Sequence, residues 1–527
     1  MGAPASGIPT LSVETMTGST RRLMKLSAST LKALPRRISV PEYKRTGAPR
    51  IVHFGVGNFC RAHLFQNTHR CNQTQADDPW LVHGIGILDN DCEMHAWEKL
   101  KSSDFLYGLM LLPSKDTEII GTLAEYDWIP HSAAAYQNAL KAISAPHTQI
   151  ISLTITEKGY CTDIEGQLDF TIPDLKHDAE LLSRPDGPLG GGVRLKTSLG
   201  MLTMGLHNRQ SHAPSDPVTL LSCDNLPSNG AELKRLLLDF ISQTKPQLLD
   251  YVEHQVSFPN SMVDRITPVT SEEDIAHLKE ATGIDDAWPV VCEPFKQWVI
   301  EDDFIAGRPA WEKVGAQFVE DVVPYEKMKL SLLNAGHSVL GILGALIGYN
   351  TIDEAVNDTN IRTFLKTYMD EEVTPVLGDL EGVNLENYKQ SLLERFGNIY
   401  IKDQIDRICS ESSAKIPIFI LPTINEQLLQ KGKIEHAALV IAAWAIYSLG
   451  TDESGKPLEI KDAMKTILNQ KALAAKANPE AFLEIESVFG KLKNSEKFVS
   501  AYTNAYHDIK KYGIAQCISA LNNNVLN

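Results

Sequence analysis

Between Pro324 and Leu340 the sequence PYEKMKLSLLNAGHSVL sets an acid, an amine, a carboxamide and an imidazole (Glu326, Lys329, Asn334 and His337) into an otherwise apolar stretch. Met328, Leu330, Leu332, Leu333, Val339 and Leu340 surround them, the pattern of a helix enclosed by protein. On an α-helix the four polar groups fall within an arc of roughly 140°. Leu330 and Leu333 share that arc, so the face is mixed. A buried ammonium without partners is strongly unfavourable, so Lys329 must be paired, neutral or lining a cavity. A cavity suits all four groups; a structural polar cluster at a domain interface is the alternative. Chemically, an amine whose charged form is disfavoured by desolvation is a usable general base, and nearby amides can donate to a developing oxyanion.

Other elements must bring a cofactor and a substrate to such a helix. The run Ile51-Val52-His53-Phe54 ends in Gly55-Val56-Gly57-Asn58-Phe59-Cys60-Arg61-Ala62-His63. Strand, glycines and helix start form the context in which a pyrophosphate meets backbone amides. Cys60 stands where a third glycine is usual, which weakens the motif. A second strand, Trp80 to Leu88, leads to Asp89-Asn90-Asp91, and an acid there would bind the adenosine ribose and disfavour a 2′-phosphate. Either Asp89 or Asp91 can serve, and a plain turn acid is the alternative. Ile150 to Thr156 reads as a strand entering Glu157-Lys158-Gly159-Tyr160, and Val218 to Cys223 as another entering Asp224-Asn225-Leu226-Pro227. Asn225 therefore lies at the strand edge where ligands of parallel sheets bind, although a turn explains the composition equally well. The Asp264–Arg265 pair reads as a structural salt bridge, and Arg407 and Lys415 as surface cations when each is taken alone.

The 527 residues exceed what one core supports. Their alternating strands and helices predict an α/β fold: a Rossmann-type dinucleotide-binding domain over 48–320, then a mostly α-helical substrate and catalytic domain over 321–527, with His436 to Leu449 and Asn478 to Leu492 among its helical stretches. Residues 1–47 read as an N-terminal extension, its first two dozen residues disordered. Its basic character resembles weakly an organellar targeting segment, with a solvated tail as the alternative; the expected location is cytoplasmic. A formal net charge of −16 argues against nucleic acid or an anionic membrane as partner. The apolar runs fall short of the roughly 18 residues that span a bilayer. Eight cysteines without CxxC or clustered Cys/His spacing read as free thiols and offer no zinc site. The glycine-rich PDGPLGGG at 185–192 follows no strand and reads as a loop.

Seven motifs taken in order, GVGNFCRAH, TITEKGY, SCDNLPSNG, FPNSMVDRITP, GIDDAWPVVCEPFKQWVIEDDF, GRPAWEKVG and PYEKMKLSLLNAGH, resemble the polyol-specific long-chain dehydrogenases. The resemblance runs from about residue 24 to the C-terminus. It implies a dinucleotide-binding domain with an added sheet region, a helical C-terminal domain and an active site between them, zinc-independent and NAD-dependent. It assigns catalysis to Lys329, Asn334 and His337 with Asn225, and proton passage to Glu326. Asp264, Arg407 and Lys415 would hold the substrate chain or order the site. The cofactor would meet Gly55, Val56, Gly57, Asn58 and Phe59, with the ribose on Asp91 or Asp89. The expected reaction interconverts a polyol and its ketose, D-mannitol and D-fructose first, with D-arabinitol, D-sorbitol or a sugar acid such as fructuronate behind them. A catalytically silent NAD-binding protein on the same scaffold is the rival, and the expected assembly is a monomer or small homo-oligomer.

Overall fold

The structure is a computed structural model that describes residues 23–163, 165–184, 193–380 and 382–523. Six parallel strands form its central sheet: β1 (Ile51–Phe54), β2 (Val82–Gly86), β3 (Leu123–Trp128), β4 (Ile150–Leu153), β5 (Val218–Ser222) and β6 (Val256–Ser257). Their spatial order is β3-β2-β1-β4-β5-β6, so the direction of winding reverses between β1 and β4. Helices cover both faces, which is why β1, β2, β4 and β5 are buried at every residue. His53 in β1 is fully buried and pairs with the Ser152 hydroxyl at 2.8 Å. Burial depresses its pKa to about 3, so it sits in the sheet as a neutral imidazole.

Register brings the strand ends level. Phe54 pairs with Ile85 and with Leu153, and Leu153 with Ser222. Gly55, Thr154 and the Cys223-Asp224-Asn225 loop therefore emerge on one edge, at the crevice where open α/β sheets bind ligands. Beside the main sheet lie a three-stranded sheet of Ser261–Asp264, Gln297–Glu301 and Gln317–Val319, and another of Val290–Cys292, Tyr107–Leu111 and Thr117–Ile120.

From Val323 onward the described residues are almost entirely helical. The central helix, Val323–Ile347, is long and apolar enough to cross a membrane by length and composition, which the shorter runs noted above did not suggest; 78% of its apolar window is buried. It packs against helix Glu435–Tyr447, which is apolar on all sides and buried from His436 to Tyr447. Leu343, Leu346, Phe364, Ile441 and Trp444 join this core.

Two expectations change. The stretch read as extension is tied down from Met24: Met24–Lys25 pairs with Ile284–Asp285, and Leu26, Leu34 and Ile38 bury against Leu106, Met110 and Leu278. The expected disorder before it and the 185–192 loop lie outside the described residues. The segment 478–492, read as one helix, is a short 3-10 turn (Pro479–Glu484), four residues of α-helix (Glu486–Phe489) and another 3-10 turn (Gly490–Asn494). Ile485 turns extended (ψ 90°) and Gly490 takes φ 46°, which breaks the helix twice.

Gly55 is held at φ 85°, and a Cβ on it would lie 2.1 Å from the Thr154 carbonyl oxygen; at Gly57 a Cβ would meet nothing within 4 Å. Gly55→Ala is expected to destabilise the fold by about 1–3 kcal/mol or more, read as a lowered thermal midpoint. Gly57→Ala should stay within about 0.5 kcal/mol of the parent.

Candidate active site

The crevice begins at the turn after β1. Val56 is buried, and Gly57 leaves open space in front of its backbone. Asn58–Ala62 is a single short helix, after which the chain bends at His63 into Leu64–Thr74. The Phe59 ring stacks on His63 at 5.0 Å. Cys60 fits the place of the third glycine because its thiol tucks under the carbonyls of Gly57 (3.3 Å) and Gly55 (3.5 Å). Burial pushes that thiol up to about 12, so it remains protonated.

Asp89 and Asp91 are both exposed beyond β2. The strand ends at Gly86, earlier than the sequence suggested, and the approach to Asp89 is a loop fastened by the Leu88 amide donating to Glu93 Oε2 at 2.8 Å. Asp91 opens the helix Asp91–Lys101, capped by the Asn90 side chain on the Glu93 amide at 2.9 Å. An open glycine turn with two exposed acids one strand away is a surface that fits a pyrophosphate and a ribose.

Within the central helix, Leu330–Asn334 is a π-turn. Its i→i+5 pairing brings residues five apart to one side, and Lys329 and Asn334 are five apart. Asn334 and His337 then follow at α-helical spacing of three. The uniform α-helix assumed from the sequence spread these three groups further apart than the backbone does.

Lys329 is 8% exposed, and its Nζ donates to Asn225 Oδ1 from the loop after β5. Burial lowers its pKa from the ordinary 10.5, against the opposing pull of the Asp264 and Glu326 carboxylates. Glu326 is 7% exposed and accepts the Ser228 amide through both oxygens, at 3.1 and 3.0 Å. Burial raises the Glu326 pKa, with the Ser228 bond and Lys329 opposing it. Asn334 Oδ1 and His337 Nε2 are buried without a hydrogen-bond partner in the protein. Such atoms are costly in a finished core and apt where a hydroxylated ligand enters. The His337 ring packs on Phe396 at 4.6 Å, and burial depresses its pKa to about 4, leaving it neutral above that pH. Asn225, Ser261, Val263, Glu326 and Lys329 line a cleft.

Asp264 does not pair with its neighbour Arg265. Successive strand residues face opposite sides, so the two diverge. Asp264 meets Arg395 of the helical part at 2.8 and 2.9 Å, while Arg265 donates to the carbonyls of Ala62 (2.6 Å) and Glu293 (2.8 Å). Burial works to raise Asp264, but the Arg395 charge prevails and holds it below the usual carboxylate range. Arg407 is exposed and bonds Asp403 one turn earlier at 2.6 Å; both charges act on His337. Lys415 is half-buried and donates to the Ile408 carbonyl at 3.0 Å, with Glu157 of the sheet domain acting on it across the cleft.

Asp224, Glu293 and Arg395 were missed as site residues. Asp224 accepts the Thr156 amide and the Tyr160 hydroxyl, each at 2.8 Å, and so ties the strained Thr156 turn (φ 61°) to the loop bearing Asn225. Its adjacency to Asn225 was the available signal. For Arg395 the signal was a cation on the buried stripe Tyr388, Leu392, Arg395. Among the described residues, no three His, Cys, Asp or Glu side chains converge as a metal site would require.

Two family models match this chain in succession: the mannitol dehydrogenase Rossmann domain over residues 49–313 and the mannitol dehydrogenase C-terminal domain over 321–510. Mannitol 2-dehydrogenase of Aspergillus fumigatus is 39% identical over 490 residues, 91% of this chain and 95% of that protein. Mannitol dehydrogenase 2 of Saccharomyces cerevisiae is 38% identical over 495 residues, 93% of this chain and 95% of that protein. Among solved structures, Pseudomonas fluorescens mannitol 2-dehydrogenase, a ternary complex with NAD and D-mannitol, is similar with a TM-score of 0.81 and 39% identity, covering 94% of this chain and 99% of that one. A D-sorbitol dehydrogenase in substrate-free form gives a TM-score of 0.83 at 32% identity, covering 94% and 100%. With both halves matched in order and relatives aligned over nearly its whole length, the chain belongs to the mannitol dehydrogenase family and is a polyol dehydrogenase.

Proposed function

We propose that this chain interconverts D-mannitol and D-fructose with NAD as cofactor, and that Lys329 is the general base. The observation that carries the reading is the buried Lys329 amine bonded to Asn225 in a cleft on the sheet edge that also carries the open glycine turn. NAD at that turn supplies the two-electron acceptor that oxidation of a secondary alcohol requires. Lys329, desolvated and with its pKa lowered, takes the hydroxyl proton. Because Asn225 Oδ1 is engaged by the lysine, its NH₂ end remains to donate to the substrate oxygen as negative charge grows. The NH₂ end of the Asn334 carboxamide completes the donor pocket while its unpaired Oδ1 accepts from a substrate hydroxyl, and His337 meets the reacting or neighbouring hydroxyl through its unpartnered Nε2. Glu326, its pKa raised by burial, relays the proton from Lys329 outward. Asp264, Arg407 and Lys415 hold the rest of the polyol chain. The likeness to a D-sorbitol dehydrogenase favours D-sorbitol as second substrate.

Five results test this. Lys329→Ala should lose turnover while NADH still binds, and primary amines should restore part of it; unchanged turnover sinks the base assignment. Asn225→Ala and Asn334→Ala should each lower kcat by about 10²–10³. Since the base must be unprotonated, kcat/KM for polyol oxidation should rise with pH through the lowered Lys329 pKa, below 10.5. His337 should contribute no step between pH 5 and 8, because its pKa lies at about 4; an NMR titration of its ring in that window would show otherwise. Initial rates across mannitol, sorbitol, arabinitol, fructose and fructuronate identify the substrate, with NADPH beside NADH for the cofactor.

A further inference from the structure

Helix Leu385–Phe396 touches the site at two consecutive residues. Phe396 packs on His337, and Arg395 reaches across to the sheet domain. The Arg395 side chain is 6% exposed and makes four charge-assisted bonds: Nη1 and Nη2 fork onto Asp264 at 2.9 and 2.8 Å, and Nε and Nη2 onto Glu293 at 2.9 and 2.8 Å. Its outer face lies over the Phe295 ring at 3.9 Å. Asp264 ends the strand Ser261–Asp264, and Glu293, which follows Val290–Cys292, also accepts the Ile266 amide at 2.6 Å. One cation thus bridges two carboxylates of the other domain, a geometry that only a planar guanidinium provides.

We propose that Arg395 is a positioning residue for polyol oxidation: it seats Asp264 beside Lys329, masks the charge Asp264 would present to the amine, and holds the helical domain in the register that joins Lys329 to Asn225. The inference rests on the reading of Lys329 as base. The groups acting on that amine are Glu326 of its own helix, Asn225 from the loop after β5, Asp264 from its strand and Arg395 from the helix behind, while His337 acts on Asp264. Glu293 stands on the far side of the guanidinium, and Arg265 is turned away toward Ala62 and Gln66. Asp264 favours the ammonium form and Arg395 disfavours it. Removing the guanidinium takes away a cation that disfavours protonated Lys329, and whatever negative charge Asp264 then carries favours it, so the basic limb must move to higher pH.

The test is the pH profile of kcat/KM for polyol oxidation, with NADH affinity and thermal midpoint as controls. Arg395→Met/Glu293→Gln removes the cation and one of its carboxylates together, so that a single buried charge is left unmatched. It should shift the limb upward by about 1 unit while binding NADH as the parent does. Arg395→Lys keeps the charge without the fork; it should lower kcat by about tenfold or more with the limb unmoved. A folded double variant with the parent profile overturns the proposal. If the double variant does not fold, Arg395→Lys decides: parent kcat overturns the proposal, and a lowered kcat with an unmoved limb supports it. A limb that persists in the residual activity of Lys329→Ala instead overturns the base assignment, which separates the two failures.

Discussion

Desolvating an amine beside carboxylates sets the terms for this molecule. Lys329 is pushed toward its neutral form by burial and pulled back by Asp264 and Glu326, so the outcome depends on where those charges sit. Neither half of the chain can arrange this alone. The lysine and Glu326 come from a helix of the C-terminal part, whereas Asn225, Ser228 and Asp264 come from loops and a strand at the edge of the sheets. The bonds that close the cleft, Glu326 to Ser228, Lys329 to Asn225 and Arg395 to Asp264, also join the domains. Burial of the amine and domain registry are one constraint.

The central helix serves that constraint by being apolar nearly everywhere else. Leu332, Val339, Leu340, Leu343 and Leu346 anchor it in the core of the helical domain, and this packing stabilises the π-turn at Leu330–Asn334 that propensity alone would not favour. The turn adds one residue to the helix without breaking it, so the chain can aim Lys329, Asn334 and His337 together while its remaining faces stay in the core.

Much of this was legible in the sequence, and the limits have physical causes. Buried parallel strands carry continuous apolar runs, so β1, β4 and β5 and their C-terminal loops could be placed from composition. The glycine turn could be read because Gly55 needs a positive φ and a missing side chain, a demand that local sequence records. Side-chain pairing leaves no such record. Asp264 finds Arg395 across the domain interface in preference to adjacent Arg265, since strand alternation sends neighbours apart. A π-turn has no composition of its own, so helical arithmetic at a fixed angle misplaced Asn334 against Lys329. The break at Ile485 and Gly490 escaped notice because the flanking residues Pro479 to Leu492 suit a helix well enough one by one.

The charges in the cleft suggest why so many ionisable groups are gathered there. Burial raises Glu326 and Glu293 above ordinary carboxyl values and lowers Lys329, which moves acids and amine toward each other on the pH scale. Asp264 is the exception, kept ionised by Arg395. Glu326 and Lys329 thus approach one another beside the ion pair that Arg395 makes with Asp264 and Glu293. Titration of such a set belongs to the set as a whole. The electrostatics of the cleft are then a property of how the two domains meet, with the Arg395 clamp fixing the charge of Asp264 beside Lys329.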